Sequence, residues 1–349
     1  MQFHVCGAYR TRYEDDLRVF ATDLGPLCMT AVVVALALLP LVLGDYLVYL
    51  ASLVGIFVIG TLGLNLLTGS TGQISLGHGA FMGVGAYATG ILAGAGLPFW
   101  LALPAAGLAT AAVGVVFGVP SLRVKGLYLA LATLAAQVLL EFAFNLYDSS
   151  GGGTSYLRVP RPSLPGLPLA SDRALYYLVL VSAVLFVWAS VNLLRSRFGR
   201  AFVAIRDNDR AAAAMGIPVF GYKLLAFSLS AFFVGVAGGL WAYLTGVVSA
   251  ERFTLMLSVE YLAMIIVGGM GSVVGSVLGA ALMTLLPEGL RVAADALSQM
   301  MPQVSNLLIG LRYAVFGLVV VGFLVFEPEG LADRWRVVKS YVNLWPFRY

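Results

Sequence analysis

A succession of apolar runs, each close to the length of a membrane-spanning helix, constrains the fold of this 349-residue chain more than any motif does. A helix needs about 20 predominantly apolar residues to cross a bilayer. Runs of that kind fill the first part of the chain, and shorter or glycine-broken ones follow. The predicted spans are residues 27–43, 46–67, 79–97, 100–119, 126–146, 174–194, 224–245, 255–267, 273–286 and 307–326.

The composition agrees with this pattern. Hydrophobic residues make up 60% of the chain and charged residues 11%, against about 25% charged residues in an ordinary globular domain. The runs are too long and too uniformly apolar for barrel strands, in which apolar and polar residues alternate. The sequence therefore predicts an all-α, polytopic membrane protein with about 8 to 10 transmembrane helices, some of them broken by glycine.

The distribution of arginine and lysine predicts the orientation of the chain. The densest cationic cluster lies in the loop 195–223, and cationic loops stay in the cytoplasm. Parity then predicts a membrane region at 27–326 with an external loop at 148–173, between cytoplasmic tails at 1–26 and 327–349. A cytoplasmic C-terminal tail requires four spans after the cationic loop, which favours a split near Gly268, Gly269 and Gly271. Eight or nine spans with a re-entrant piece remain possible.

The N-terminal tail is atypical of a cleaved export signal. About 26 residues with several acidic side chains precede the first apolar run, whereas a signal peptide reaches its apolar core quickly. We therefore expect the first run to remain as a span. The cationic residues are expected to contact anionic lipid rather than nucleic acid.

Small and polar residues interrupt the apolar pattern at 63–87, which reads GLNLLTGSTGQISLGHGAFMGVGAY. Lipid offers no hydrogen-bond partner to a loosened backbone, so such a break must be sheltered by protein. It can be a hinge where helices pack closely, or it can line a polar path. The candidate residues for either role are Asn65, Gly69, Gly72, Gln73, Ser75, Gly77 and His78.

The cationic loop contains a predicted amphipathic helix. It reads FGRAFVAIRDNDRAAAAMGIP from Phe198, with Asp209 as a candidate N-cap and with Gly216 and Pro218 as a stop signal. Such a helix either docks a cytoplasmic partner or is a solvated connector. The external loop is dense in glycine and proline, which predicts no regular helix there and suits either a docking surface or a connector.

Three segments resemble the LivM-type permease subunits of branched-chain amino acid ABC importers. They are the stretch at 63–87, then GRAFVAIRDNDRAAAAMGIPVFGYKLLAFSLSAFFVGVAGGLWA, then IIVGGMGSVVGSVLGAALMTLLPEGLR. The tail segment GAYRTRYEDDLRVF is also similar to the leader of one branch of this family. The similar segments run in the expected order from residue 7 to residue 291.

The resemblance implies a non-enzymatic permease that imports leucine, isoleucine or valine across the bacterial inner membrane. Implied partners are a second, LivH-type permease, two cytoplasmic ATP-binding subunits and a periplasmic amino-acid-binding protein. The chain itself has no glycine followed by lysine and hence no P-loop. The coupling loop toward the ATPase would comprise Arg200, Arg206, Asp207, Asn208, Asp209, Ala212, Met215 and Gly216. The alanine run departs from the family pattern, which has an acidic residue there.

Other functions make different demands on the sequence. A urea or amide permease of the same family has similar motifs. A proton-coupled secondary transporter would need acids within the spans, where Glu141 is the clear candidate. His78 has only His4 of the N-terminal tail as a second histidine, so we expect no catalytic residue, metal site or cofactor.

Overall fold

A computed structural model describes residues 24–121, 126–150, 156–164, 167–168, 171–300 and 330–344, together with 314, 317–318, 321–323 and 325. Its described elements are almost entirely helical. The helices are α1 (Leu24–Val42), α2 (Asp45–Leu64), α3 (His78–Gly94), α4 (Phe99–Ser121), α5 (Leu127–Ser150), α6 (Asp172–Arg195), α7 (Arg197–Asp207), α8 (Asp209–Ala214), α9 (Val219–Thr245), α10 (Leu255–Gly268), α11 (Val273–Met300) and α12 (Leu331–Leu344).

Six helical stretches are long and apolar enough to cross a membrane, as judged over the described residues. They are Asp45–Gly69, Phe99–Ser121, Tyr128–Ser149, Asp172–Arg195, Val219–Thr245 and Val273–Val292. The all-α, polytopic expectation is thus confirmed, whereas α3 and α10 are shorter, at 17 and 14 residues. Most of the predicted span 307–326 lies outside the described residues.

Helix α9 forms the centre of the bundle. In its apolar window 72% of the residues are buried, against 28% in the windows of α6 and α11. Small residues make this possible, because a methyl group added at Gly235 would overlap Thr110 of α4, and one added at Gly238 would overlap the carbonyl of Met82 in α3. Close approach of helix backbones at glycine is the usual packing device within membranes.

Helices α10 and α11 form an antiparallel hairpin, as the expected split near Gly268 predicts. Gly268 packs against Gly275, and Gly279 packs against the carbonyl of Met264, so residue numbers rise along one helix as they fall along the other. The turn between them uses Gly269 and Gly271, both with positive φ (108° and 82°), which side-chain-bearing residues rarely adopt.

Four two-residue strands occur in the described part of the chain. Strands β2 (Ser163–Leu164) and β3 (Leu167–Pro168) form a hairpin within the loop between α5 and α6. Strand β1 (Leu157–Arg158) pairs with β4 (Val247–Val248), directly after α9, and we call this pair the β1–β4 ribbon. The described part of the glycine- and proline-rich loop after α5 has no helix before Asp172, as predicted, although α5 itself continues to Ser150.

The ribbon and helices α7 and α8 lie at opposite ends of α9. Helix α8 ends shortly before α9 begins at Val219, and β4 follows directly after Thr245. A 27-residue helix spans about 40 Å at 1.5 Å per residue. The start of α12 belongs to the α7 end, because Gly330 packs against Gly268 and Gly269.

Candidate functional site

Helix α2 changes its winding where the glycine-rich stretch begins. Residues Asn65–Gly69 form a π-helix, a rare element that often marks functional positions. Side chains of the same stretch bond to its loosened backbone. The Thr71 hydroxyl donates to the Leu67 carbonyl (2.6 Å) and the Thr68 hydroxyl to the Gln73 carbonyl (2.9 Å). The break therefore supplies some of its own hydrogen-bond partners inside an apolar bundle.

The next helix, α3, begins in the interior and is capped by side chains from other helices. The Gly79 amide donates to Ser258 Oγ (2.8 Å), and the Ala80 amide donates to Gln137 Oε1 (2.8 Å). Gln137 also donates through Nε2 to the Phe253 carbonyl (2.7 Å). The first N–H groups of a helix have no partner within it, so these contacts satisfy donors that lipid could not.

Sequence reasoning missed this cap. Gln137 and Ser258 are both fully buried, and each lies within a predicted span. The signal that could have found them is their position within a membrane-length run, because a polar side chain there is costly unless it is hydrogen-bonded. Thr133, whose hydroxyl accepts from the Leu76 amide (2.9 Å), has the same character.

His78 is enclosed by the bundle. Its Nε2 lies 2.9 Å from Ser230 Oγ and its Nδ1 lies 3.4 Å from Ser75 Oγ, and the side chain is only 1% exposed. The polar candidates of the break are all similarly buried: Asn65, Gln73, Ser75 and His78. They thus lie inside the packed chain rather than on its surface.

Helices α7 and α8 occupy the predicted amphipathic segment and meet at Asn208. Its side-chain oxygen accepts from the Arg210 and Ala211 amides (both 3.1 Å), so Asn208 is the N-cap. The expectation that Asp209 caps this helix was wrong; Asp209 is its first helical residue and pairs with Lys223 at 3.5 Å. The predicted stop is present, with Gly216 at φ +84°.

The coupling-loop candidates differ in the direction that they face. Met215 is 85% exposed, and Ala212 is buried against the bundle. Arg200 lies at the surface, where it donates to the Arg195 carbonyl (3.2 Å). Arg206 turns toward the break and donates through Nη1 to the Gly69 carbonyl (3.1 Å). Its Nε donates to Asp207 Oδ1 (3.1 Å).

A cavity of about 500 Å³ lies where these segments meet. The break, the start of α5 and the α7–α8 junction form its walls. The lining residues include Gly72, Gln73, Gly126, Arg206, Asn208, Asp209 and Lys223. The geometry therefore joins two groups of candidates that the sequence offered separately.

The acidic residues within the predicted spans are more numerous than expected. Glu141 is partly exposed on α5, and within the described chain no lysine or arginine lies within 4 Å of its carboxylate. Glu260, in the middle of α10, is a second such acid, so treating Glu141 as the one clear candidate was wrong.

A bundle of membrane-length helices with broken, internally bonded segments defines a multi-pass integral membrane protein. The family model described as the permease component of branched-chain amino acid transport systems matches residues 46–324. The chain belongs to this family.

Curated relatives agree with the family match. The chain is 34% identical to the high-affinity branched-chain amino acid transport system permease protein LivM of Salmonella typhimurium, over 82% of this chain and 70% of the relative. It is 34% identical to LivM of Escherichia coli, over 89% and 75%. The autoinducer 2 import system permease protein LsrC of Salmonella typhi is 27% identical, over 74% and 71%. No solved structure matches the chain.

Proposed function

We propose that this chain is the permease subunit of an ABC importer that moves branched-chain amino acids across the bacterial inner membrane. The observation that carries the proposal is the 34% identity to LivM permeases over most of both chains. A periplasmic binding protein delivers the amino acid, and a second, LivH-type permease completes the pathway. Two cytoplasmic subunits hydrolyse ATP, because this chain has no P-loop.

The α7–α8 segment is the proposed docking point for an ATP-binding subunit. It presents Met215 at the surface, and it contacts the broken helix through Arg206 on its other side. A segment placed in this way can pass a movement of the partner to the membrane helices.

The proposed topology has ten crossings and both tails in the cytoplasm. The antiparallel α10–α11 hairpin supplies two crossings after α9, and Gly330 lies at the same end as α7. One further crossing between α11 and Gly330 would satisfy the parity that the cationic loops demand. Cysteine accessibility in right-side-out membranes tests this: position 215 should be protected from an impermeant reagent, and position 158 in the ribbon should react.

We propose that the break at 63–87 is a packing hinge beside the path rather than part of its lining. Between two permeases the path runs along an outer face of each subunit, whereas His78 and Gln73 are 1% and 3% exposed. Substitution of either should therefore change assembly or coupling, and should leave the substrate preference unchanged.

Reconstitution of the four kinds of subunit in proteoliposomes tests the function. Leucine uptake should require ATP and the binding protein. Met215→Ser should lower the recovery of ATP-binding subunits in a pull-down on this chain, whereas Met256→Ser, an exposed methionine at the ribbon end, should not. Normal recovery with Met215→Ser would remove α8 as the docking point.

The same assay separates the alternatives. Competition by urea or an amide, with no effect of leucine, would identify a urea or amide permease. The 27% identity to autoinducer 2 permeases makes that compound a further competitor to include. Uptake that persists after ATP depletion would identify a secondary transporter.

A further inference from the structure

Three separate segments meet around the side chain of Arg206. They are the C-terminal half of α7, the π-helical end of α2 and the turn between α10 and α11. Arg206 Nη1 donates to the carbonyl of Gly69, the last residue of the π-helix (3.1 Å). Carbonyls in the last turn of a helix lack an intrahelical donor, and a cationic donor there also complements the helix dipole.

Two glycines leave the space that the arginine occupies. A methyl group added at Gly72 would lie 3.3 Å from Arg206 Cγ, and one added at Gly271 would lie 3.2 Å from Arg206 Nη1. Both glycines have positive φ, 70° and 82°, so the backbone turns around the side chain at these positions. The arginine thus lies between the first glycine break, at 63–87, and a second glycine break at 268–279, around the α10–α11 turn.

Asn65 joins the two breaks directly. Its Oδ1 accepts from the Gly271 amide (2.7 Å), and its Nδ2 donates to the Ser272 carbonyl (3.2 Å). Residues Asn65 and Gly271 are far apart in the chain, yet this one amide satisfies a donor and an acceptor of the α10–α11 turn. A displacement of the π-helix must therefore carry the turn with it, or break both bonds.

We propose that Arg206 is the positioning residue that transmits movement of the α7–α8 segment to both glycine breaks at once. The chain of contacts runs from α7 through the guanidinium to the Gly69 carbonyl, and from the π-helix through Asn65 to the α10–α11 turn. Arg206 acts inside the subunit and need not touch an ATP-binding subunit. This rests on the proposed function for its role in transport, but the mechanical link stands on the contacts of this chain alone.

The surroundings suit a movable link more than a rigid one. The Arg206 side chain is 40% exposed and that of its neighbour Asp207 is 63% exposed. Water can therefore reach the guanidinium and replace the Gly69 carbonyl as its hydrogen-bond acceptor. A cavity of about 500 Å³ adjoins it, which leaves room for α7 to shift. A π-helical turn is a common place for a helix to kink and is frequent at functional sites.

The first experiment measures the link in the purified full-length chain in nanodiscs. Spin labels are placed at Met215→Cys on α8 and Met270→Cys in the α10–α11 turn, both exposed positions, after Cys6 and Cys28 are changed to serine. Pulsed electron paramagnetic resonance should give a narrow distance distribution. We expect Arg206→Gln to broaden it and Arg336→Gln, the loss of one exposed cation on α12 outside the docking segment, to leave it narrow. Equal distributions for the two variants would overturn the proposal.

The second experiment measures coupling in the reconstituted importer. The ratio of ATP hydrolysed to leucine imported should rise about tenfold with Arg206→Gln, while the ATP-binding subunits remain bound. Arg336→Gln, on α12 outside the docking segment, should keep the wild-type ratio. An unchanged ratio with Arg206→Gln would overturn the role in transport. Failure of the wild-type complex to import leucine would count against the proposed function instead, and the spin-label distances would still decide the link.

A double variant checks that Asn65 and Arg206 belong to one link. Contacts in one chain of transmission are not additive, because either loss interrupts it. Asn65→Ala combined with Arg206→Gln should raise the ratio no further than the more severe single change. Multiplicative effects would show independent roles and would contradict the proposed route.

Discussion

The two glycine breaks solve the same problem by different means. Between α2 and α3 the backbone opens, and polar side chains supply its hydrogen bonds, among them Thr68, Thr71 and Gln137. Between α10 and α11 the helices approach until glycine meets glycine, with Gly268 against Gly275. The comparison teaches that glycine in a membrane helix has two distinct uses. One loosens the backbone, which then needs polar support, and the other brings two helix backbones together, which requires the absence of a side chain at the contact.

The largest effect should come from removing the polar support of the first break. Gln137→Leu leaves the Ala80 amide and the Phe253 carbonyl without partners, and each buried orphan costs about 1–3 kcal/mol. We expect a large fall in apparent melting temperature, measured by fluorescence-detected size exclusion in detergent. Val138→Leu, at the neighbouring exposed position, should keep the apparent melting temperature of the wild type. Equal apparent melting temperatures for Gln137→Leu and the control would contradict the capping role of Gln137.

The next effect should come from filling the contact of the second break. Gly268→Ala inserts a methyl group against the carbonyl of Gly275, and overpacking of this kind costs about 1–3 kcal/mol. Gly289→Ala is the matched control, because a methyl group there meets open space. It should be neutral or stabilising, since alanine favours a helix by about 1 kcal/mol over glycine. Equal melting temperatures for the two variants would show that close approach is unimportant here.

The smallest effect should come from separating the two breaks. Asn65→Ala removes two hydrogen bonds to the α10–α11 turn, worth about 1 kcal/mol each. The control Asn145→Ala loses only an exposed bond to the Glu141 carbonyl of its own helix. Hydrogen exchange of the Gly271 amide should rise with the first variant and stay unchanged with the second. Unaltered exchange in Asn65→Ala would mean that each break is held independently.

The apolar runs predicted most helices closely because hydropathy is a local property. The predicted span 255–267 is the helix Leu255–Gly268, and the span 100–119 is the helix Phe99–Ser121. The split after Gly268 followed from charge parity, which needs no contact information. The length of α11, which continues to Met300, was underestimated because its polar residues beyond Leu286 lower the hydropathy.

The partners of the polar residues could not be predicted in the same way. Arg206 reads as one cation in a charged loop, and its bond to the Gly69 carbonyl joins residues 137 positions apart. The roles of Gln137 and Ser258 likewise depend on which helices become neighbours. Periodicity and propensity carry no information on such pairings. The sequence therefore indicated where a break must be sheltered, but not which residues shelter it.

The β1–β4 ribbon has a consequence for the order of assembly during synthesis. Its first strand is synthesised before α6 and its second only after α9. Leu157 therefore cannot pair with Val248 until the intervening helices have been inserted. Contacts between such distant segments form late, because the chain between them must first be ordered. The ribbon can thus close only after the centre of the bundle is in place. In a chain that fails to close it, the loop between α5 and α6 would stay accessible to quality-control proteases on its side of the membrane.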